Sequence, residues 1–278
     1  MSTTAPRDLV PAAGGVFRRV LCGVDLSAAS REATRQAARL VDVDGSLLVV
    51  AVAVGEAVAI TAPAGVAAAV ADTAVDEPTR ARYRAALAEA ARSAGATFPQ
   101  TQSRLLEGEP VTTFLETLAA ERATLAVVGS HDYHRMQGIV LGSMATHVLH
   151  KAPCSVLVAR PPEGGVGRLL VGVDGSDEAA FARAVAAHLA VRLDREVETL
   201  VAYGGRPLHD LDAVTRLAPL VETFDEPVHA LVSRAGPDDL VVVGSRSLHG
   251  LRALGSVSER VAHRAPCSVL VVRTQEGT

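Results

Sequence analysis

Short apolar runs alternate along this chain with longer segments whose apolar residues, mostly alanine, recur at helical spacing. The runs centre on 20–24, 47–54, 102–106, 125–128 and 155–158, and again on 169–173, 240–243 and 268–272. Helical patterns fall between them, from about Ala28 to Val41, Asp76 to Ala94, Val111 to Glu121 and Ser143 to His150. Strand and helix in strict alternation predict a parallel sheet with helices on both faces. The strands also carry the continuous Val/Leu character of strands buried on both sides, as in VVVG. The class read from the pattern is therefore α/β, doubly wound.

The pattern repeats. RVLCGVDLS (Arg19–Ser27) matches RLLVGVDGS (Arg168–Ser176), LAVVGS (Leu125–Ser130) matches LVVVGS (Leu240–Ser245), and APCSVLVAR (Ala152–Arg160) returns as APCSVLVVR (Ala265–Arg273). Three blocks in the same order indicate a tandem duplication. The expected organisation is a loose tail over 1–17, a first domain over 18–160, a Pro/Gly-rich linker over 161–167 and a second domain over 168–278. The second copy is shorter, mostly between its first and fourth strands. In the first copy that interval holds an Ala-rich stretch, 57–74, expected to form a mobile loop.

Composition narrows the function. The 278 residues carry a formal net charge of -4, which gives no general attraction to nucleic acid or to anionic membranes. The stretch from Leu47 to Ala71 has Glu56 as its one charged residue, but Gly55, Pro63 and Gly65 interrupt it, so a strand and a loop are expected rather than a membrane span. No basic segment followed by an apolar run opens the chain, and Cys22, Cys154 and Cys267 form no CxxC pair. A cytoplasmic protein with free thiols is expected, the cysteines packing in cores, with redox sensing as the alternative.

In open doubly wound sheets, ligands bind beyond the carboxyl ends of the strands. Asp25 and Ser27 follow the first strand of copy one, and Asp174 and Ser176 hold the same places in copy two. A carboxylate there can accept hydrogen bonds from a sugar hydroxyl; equally, Asp or Ser can cap the next helix. After the fourth strand come Gly129-Ser130-His131-Asp132, a loop, and Gly142-Ser143 opening a helix. Glycine allows close backbone approach, and a helix amino terminus presents free N–H groups to an anion. An ordinary Gly-bearing loop with a Ser cap fits the same residues, and Ser256 and Glu259 of copy two have capping-box spacing.

Together these motifs resemble the universal stress protein family over nearly the whole chain. Its nucleotide-binding members carry Gly, two residues, Gly, nine residues, then Gly with Ser or Thr, together with an Asp after the first strand. Gly129, the spacer Tyr133–Leu141 and Gly142-Ser143 fit that pattern; Asp132 replaces the second Gly. The resemblance implies two five-stranded domains of strand order 3-2-1-4-5, of the adenine nucleotide alpha-hydrolase-like fold. It implies that Asp25, Ser27 and the backbone of Val52 meet ribose and adenine. Gly129, Ser130, His131, Gly142, Ser143, Met144 and Ala145 would surround ribose and phosphates. In copy two the matching residues are Asp174, Ser176, Ala202, Gly244, Ser245, Arg246, Gly255, Ser256, Val257 and Ser258. There Ser247 replaces the second Gly, and the spacer is two residues short.

The implied ligand is ATP, with ADP or AMP as alternatives. A carboxylate at Asp132 repels a triphosphate unless it turns outward or a cation such as magnesium lies between. Copy one is the expected main site. The tandem arrangement implies that the two closing strands pair as an intramolecular pseudo-dimer, a further homodimer remaining open.

Neither GxxxxGK[ST] nor GxSxG occurs, so P-loop and α/β-hydrolase chemistry are not expected. His131/His134 and His147/His150 have HxxH spacing without a converging thiolate or carboxylate, and no metal site is expected. The expectation is a stress-response nucleotide binder that alters contacts with an unidentified protein partner. A pure interaction module and a slow ATP hydrolase are the alternatives.

Overall fold

The computed structural model describes residues 15–54, 58–59, 70–71, 75–130, 141–160, 167–202, 220–223, 225–245 and 257–274. The strands are β1 (Arg19–Val24), β2 (Ser46–Ala53), β3 (Val58–Ala59), β4 (Val70–Ala71), β5 (Thr101–Glu107), β6 (Leu125–Gly129), β7 (Ser155–Ala159), β8 (Leu169–Val173), β9 (Val197–Ala202), β10 (Leu220–Thr223), β11 (Leu240–Gly244) and β12 (Ser268–Val272). The helices are α1 (Ala28–Leu40), α2 (Glu77–Gly95), α3 (Pro110–Ala120), α4 (Ser143–Lys151), α5 (Asp177–Leu193), α6 (Pro227–Arg234) and α7 (Val257–Arg264). Within the stretch expected to be a loop, β3 and β4 pair antiparallel; the rest of it lies outside the described residues.

Ten strands form one sheet in the order β10-β9-β8-β11-β12-β7-β6-β1-β2-β5. Each half has the order 3-2-1-4-5, parallel throughout. The halves join where β12 runs antiparallel to β7, with Val269 opposite Val158 and Val271 opposite Val156. The edge that each closing strand would otherwise expose is thus covered by the other.

Alternation along the strands builds two cores, one on each face of the sheet. Val20, Cys22 and Val24 join Ala33 and Ala37 of α1, Leu87 of α2 and Leu189 of α5 on one face. Leu21, Val128 and Val156 join Phe114 of α3, Val148 of α4, Leu231 of α6 and Val261 of α7 on the other. Both cores run unbroken from one half into the other. With hardly any aromatic residues, close packing depends on alanine: Ala29, Ala33 and Ala37 repeat every four residues on the buried stripe of α1.

The helix starts follow local chemistry. Side chains of Ser27, Asp76, Glu109, Ser176 and Glu226 accept hydrogen bonds from first-turn N–H groups of α1, α2, α3, α5 and α6. No described helix is long and apolar enough to cross a membrane.

Candidate functional site

The parallel register brings the informative residues to one edge of each half. Val24 lies opposite Ala51 and Cys22 opposite Val127, so Asp25, Val52 and the residues after Val128 all emerge at the carboxyl edge. Because β6 and β7 are parallel, α4 must start at that edge and run back to the start of β7. Leu141, just before it, is buried in the core with Val128 and Val158, which anchors the start of the helix.

The opening of α4 differs from those of the other helices whose caps are described. Its cap is Gly142, at φ -63° and ψ 157°, and among the described residues no side chain caps its first turn. The donors of Ser143, Met144 and Ala145 thus have no side-chain cap among the described residues, and they stand at the positive end of the helix dipole. Ser143 is exposed, and its carbonyl is 2.7 Å from His147 Nδ1 within the helix.

Asp25 is exposed, and its Oδ1 accepts from the N–H of Ser27 at 2.7 Å, shaping the turn into α1. Ser27 Oγ then caps α1 by accepting from the Ser30 N–H at 3.2 Å. Ser30, which the sequence reading passed over, donates its hydroxyl to the carbonyls of Asp25 and Ser27, both at 3.0 Å, and stiffens the same turn. Leu26 and Val54 stand out here as large apolar side chains exposed to solvent, 42% and 40% respectively. They sit just past the carboxyl ends of the paired strands β1 and β2, beside Asp25 and half-buried Val52.

Copy two repeats part of this. Asp174 Oδ1 accepts from both the N–H (3.0 Å) and the hydroxyl (2.6 Å) of Ser176, which caps α5. In the place of Leu26 stands Gly175, held at φ +79°, a left-handed conformation that glycine adopts without strain. Half-buried Ala202 ends β9 where Val52 lies in β2. Val257 and Ser258 open α7, Ser258 being buried.

The glycines ending β6 and β11 have a reason that involves no ligand. A Cβ on Gly129 would lie 2.8 Å from the backbone carbon of Ala29, and one on Gly244 would lie 2.5 Å from the carbonyl oxygen of Glu178. The first turns of α1 and α5 occupy the space that a side chain at these positions would need. The next N–H groups are also committed, Ser130 to Ala159 O at 2.8 Å and Ser245 to Val272 O at 2.9 Å. His131, Asp132, Arg246, Gly255 and Ser256 lie outside the described residues.

Among the described residues no group of three or more His, Cys, Asp or Glu could hold a metal. The three thiols are buried, and burial pushes Cys22 up to about 12 and Cys154 and Cys267 up to about 11. Groups held as neutral thiols in apolar surroundings pack rather than react.

A duplicated 3-2-1-4-5 sheet with a glycine-capped helix opening at its carboxyl edge defines a tandem doubly wound α/β protein. The model of the universal stress protein family matches residues 17–160 and 225–273, and the chain belongs to that family. A universal stress protein of Mycolicibacterium smegmatis is 30% identical, the match covering 91% of this chain and 96% of that one. One from Mycobacterium tuberculosis is 30% identical over 62% of this chain and 68% of its own. Among solved structures, a universal stress protein from Archaeoglobus fulgidus superposes with a TM-score of 0.70 at 19% identity, covering 97% of this chain and 99% of that one, a likeness of fold.

Proposed function

We propose that the protein binds an adenine nucleotide, ATP foremost, at the carboxyl edge of copy one, and that occupancy alters its contacts with a protein partner in the response to stress. The observation that carries this reading is the start of α4, where glycine replaces the capping side chain found at five other helices. The donors freed there suit phosphate, and the residues present fit the ligand at its other end too. Leu26 and Val54 offer apolar surface to a purine, and Asp25, already held by Ser27, offers an acceptor to ribose hydroxyls. Gly142, Ser143, Met144 and Ala145 would hold the phosphates, with Ser130 and His131 beside them. The reading is of a binding module, which holds its ligand through backbone donors, one carboxylate and apolar surface.

For copy two the pure interaction module is the better reading. Gly244 is retained for packing, Gly175 removes the apolar platform, and the spacer before Gly255 is short. Titration calorimetry of the full chain with ATP, ADP and AMP tests the proposal. One molecule of ATP per chain, bound below millimolar concentration, is the expected result. No binding of any of the three at millimolar concentration would refute it.

A further inference from the structure

Each closing strand ends on an arginine that leaves its own half. The antiparallel register that sets Val271 opposite Val156 carries Arg273 to the start of β7 and Arg160 to the start of β12. Their N–H groups donate to Ser155 Oγ (3.1 Å) and Ser268 Oγ (2.9 Å) of the opposite half. Both guanidinium groups are buried, Arg160 at 6% and Arg273 at 9% exposure. Arg160 donates to the carbonyls of Ala262 at 2.6 Å and Cys267 at 3.1 Å. Arg273 donates to the carbonyls of Leu149 and Ala152, and to that of Cys154 at 3.2 Å.

Ala262, Leu149 and Ala152 lie at the carboxyl ends of α7 and α4, where carbonyls have no donor within the helix, and Cys267 and Cys154 in the turns that follow. A buried guanidinium fork satisfies several at once with charge-assisted bonds. A second contact from copy two grips the same turn of α4: His150 Nε2 lies 2.8 Å from Glu259 Oε1 of α7. The nine residues of α4 make a rod about 13 Å long, so fixing its carboxyl end sets the aim of its amino end.

We propose that Arg273, from copy two, is a positioning residue for the phosphate site of copy one, so that the second half is the fixture on which the first half's anion-binding helix is set. This rests on the nucleotide reading of α4. The reciprocal clamp by Arg160 on α7 supplies an internal control, since it grips the helix of the other half.

The test uses the full chain with Arg273→Met, Arg273→Lys and Arg160→Met. Hydrogen exchange without ligand, followed by calorimetry with ATP and with adenosine, gives two independent readouts. In R273M, amides of 143–149 should exchange about tenfold faster. ATP affinity should fall about tenfold, and adenosine affinity by less than about twofold, because only the phosphate donors move. R273K, which keeps the charge but not the fork, should recover part of the loss in both readouts. R160M should instead loosen 257–264 and, weakening only the His150–Glu259 contact to α4, lower ATP affinity at copy one by less than about twofold.

Unchanged exchange of 143–149 in R273M and R273K overturns the clamp, whether or not nucleotide binds. Equal losses for ATP and adenosine overturn the positioning role while leaving the nucleotide reading intact. A wild-type chain that binds no nucleotide overturns that reading and the phosphate role with it, and exchange then judges the clamp alone.

Discussion

The two halves share a sheet order, two cores and a closing-strand motif, yet their carboxyl edges differ. In copy one, a leucine stands beyond the first strand, Asp25 turns the chain into a Ser-capped helix, and α4 opens on an uncapped glycine. In copy two the leucine is a left-handed glycine, and Ser176 binds the carboxylate of Asp174 twice. What duplication preserved is what packing requires. The differences lie in the residue that follows the aspartate after the first strand, Leu26 against Gly175, and in the loop length before the shared Gly-Ser.

Four experiments would break or sharpen this contrast, in falling order of expected effect. Gly142→Asp places a good N-cap at a backbone conformation that aspartate accepts, so the fold should be kept or stabilised by about 1 kcal/mol. Its carboxylate would fill and repel the phosphate position, and ATP affinity should drop at least about 100-fold, or about 2.7 kcal/mol. Gly255→Asp should leave ATP binding unchanged; the reverse result by calorimetry would move the site to copy two.

Next, Gly129→Ala and Gly244→Ala should both destabilise, because the obstructing atoms are backbone and cannot swing away. Thermal or urea unfolding should show losses of about 1 and about 2 kcal/mol respectively, the larger at the closer contact. A neutral outcome at both positions would return these glycines to a ligand-binding role.

Leu26→Ser should weaken adenosine and ATP alike by about threefold to tenfold, the worth of part of one apolar side chain against a base. Loss confined to ATP would show that Leu26 does not face the purine.

The smallest effect concerns His263, which occupies in copy two the place of His150. Burial holds its pKa below the usual histidine value, with Arg160 and His150 adding to the effect and Glu259 opposing it. The unfolded chain then binds more protons than the folded one, so stability should fall as pH drops through the ordinary histidine range. In melting curves recorded from neutral pH to about 5.5, His263→Gln should flatten that slope. An unchanged slope would assign the acid sensitivity to other groups.

Much of this was legible in the chain itself. Apolar runs alternating with Ala-rich helical stretches, given twice, were enough for two doubly wound sheets, because burial on both faces leaves a signature local to each strand. Ser27 and Ser176 as caps were equally readable, since capping acts over three residues. The motif glycines were readable as glycines but not in their purpose. Gly129 and Gly244 answer to α1 and α5, about 100 and 66 residues earlier in the chain, and such contacts leave no local trace. Arg160 and Arg273 were visible as a charge closing the same apolar block twice, a signal that could have marked them.

The sequence by itself therefore determined the class of fold, its duplication and the places where helices begin, all consequences of periodicity and near-neighbour chemistry. The pairing of the closing strands was expected from the tandem arrangement, but only the tertiary structure decided its antiparallel register, and that each half's arginine closes the other's last helix. It also decided that the helix at Gly142, alone among those whose starts are described, opens without a side-chain cap. The physical reason is common to the sheet junction and the arginine closures: buried donors and acceptors must be paired across whatever distance along the chain the packing imposes.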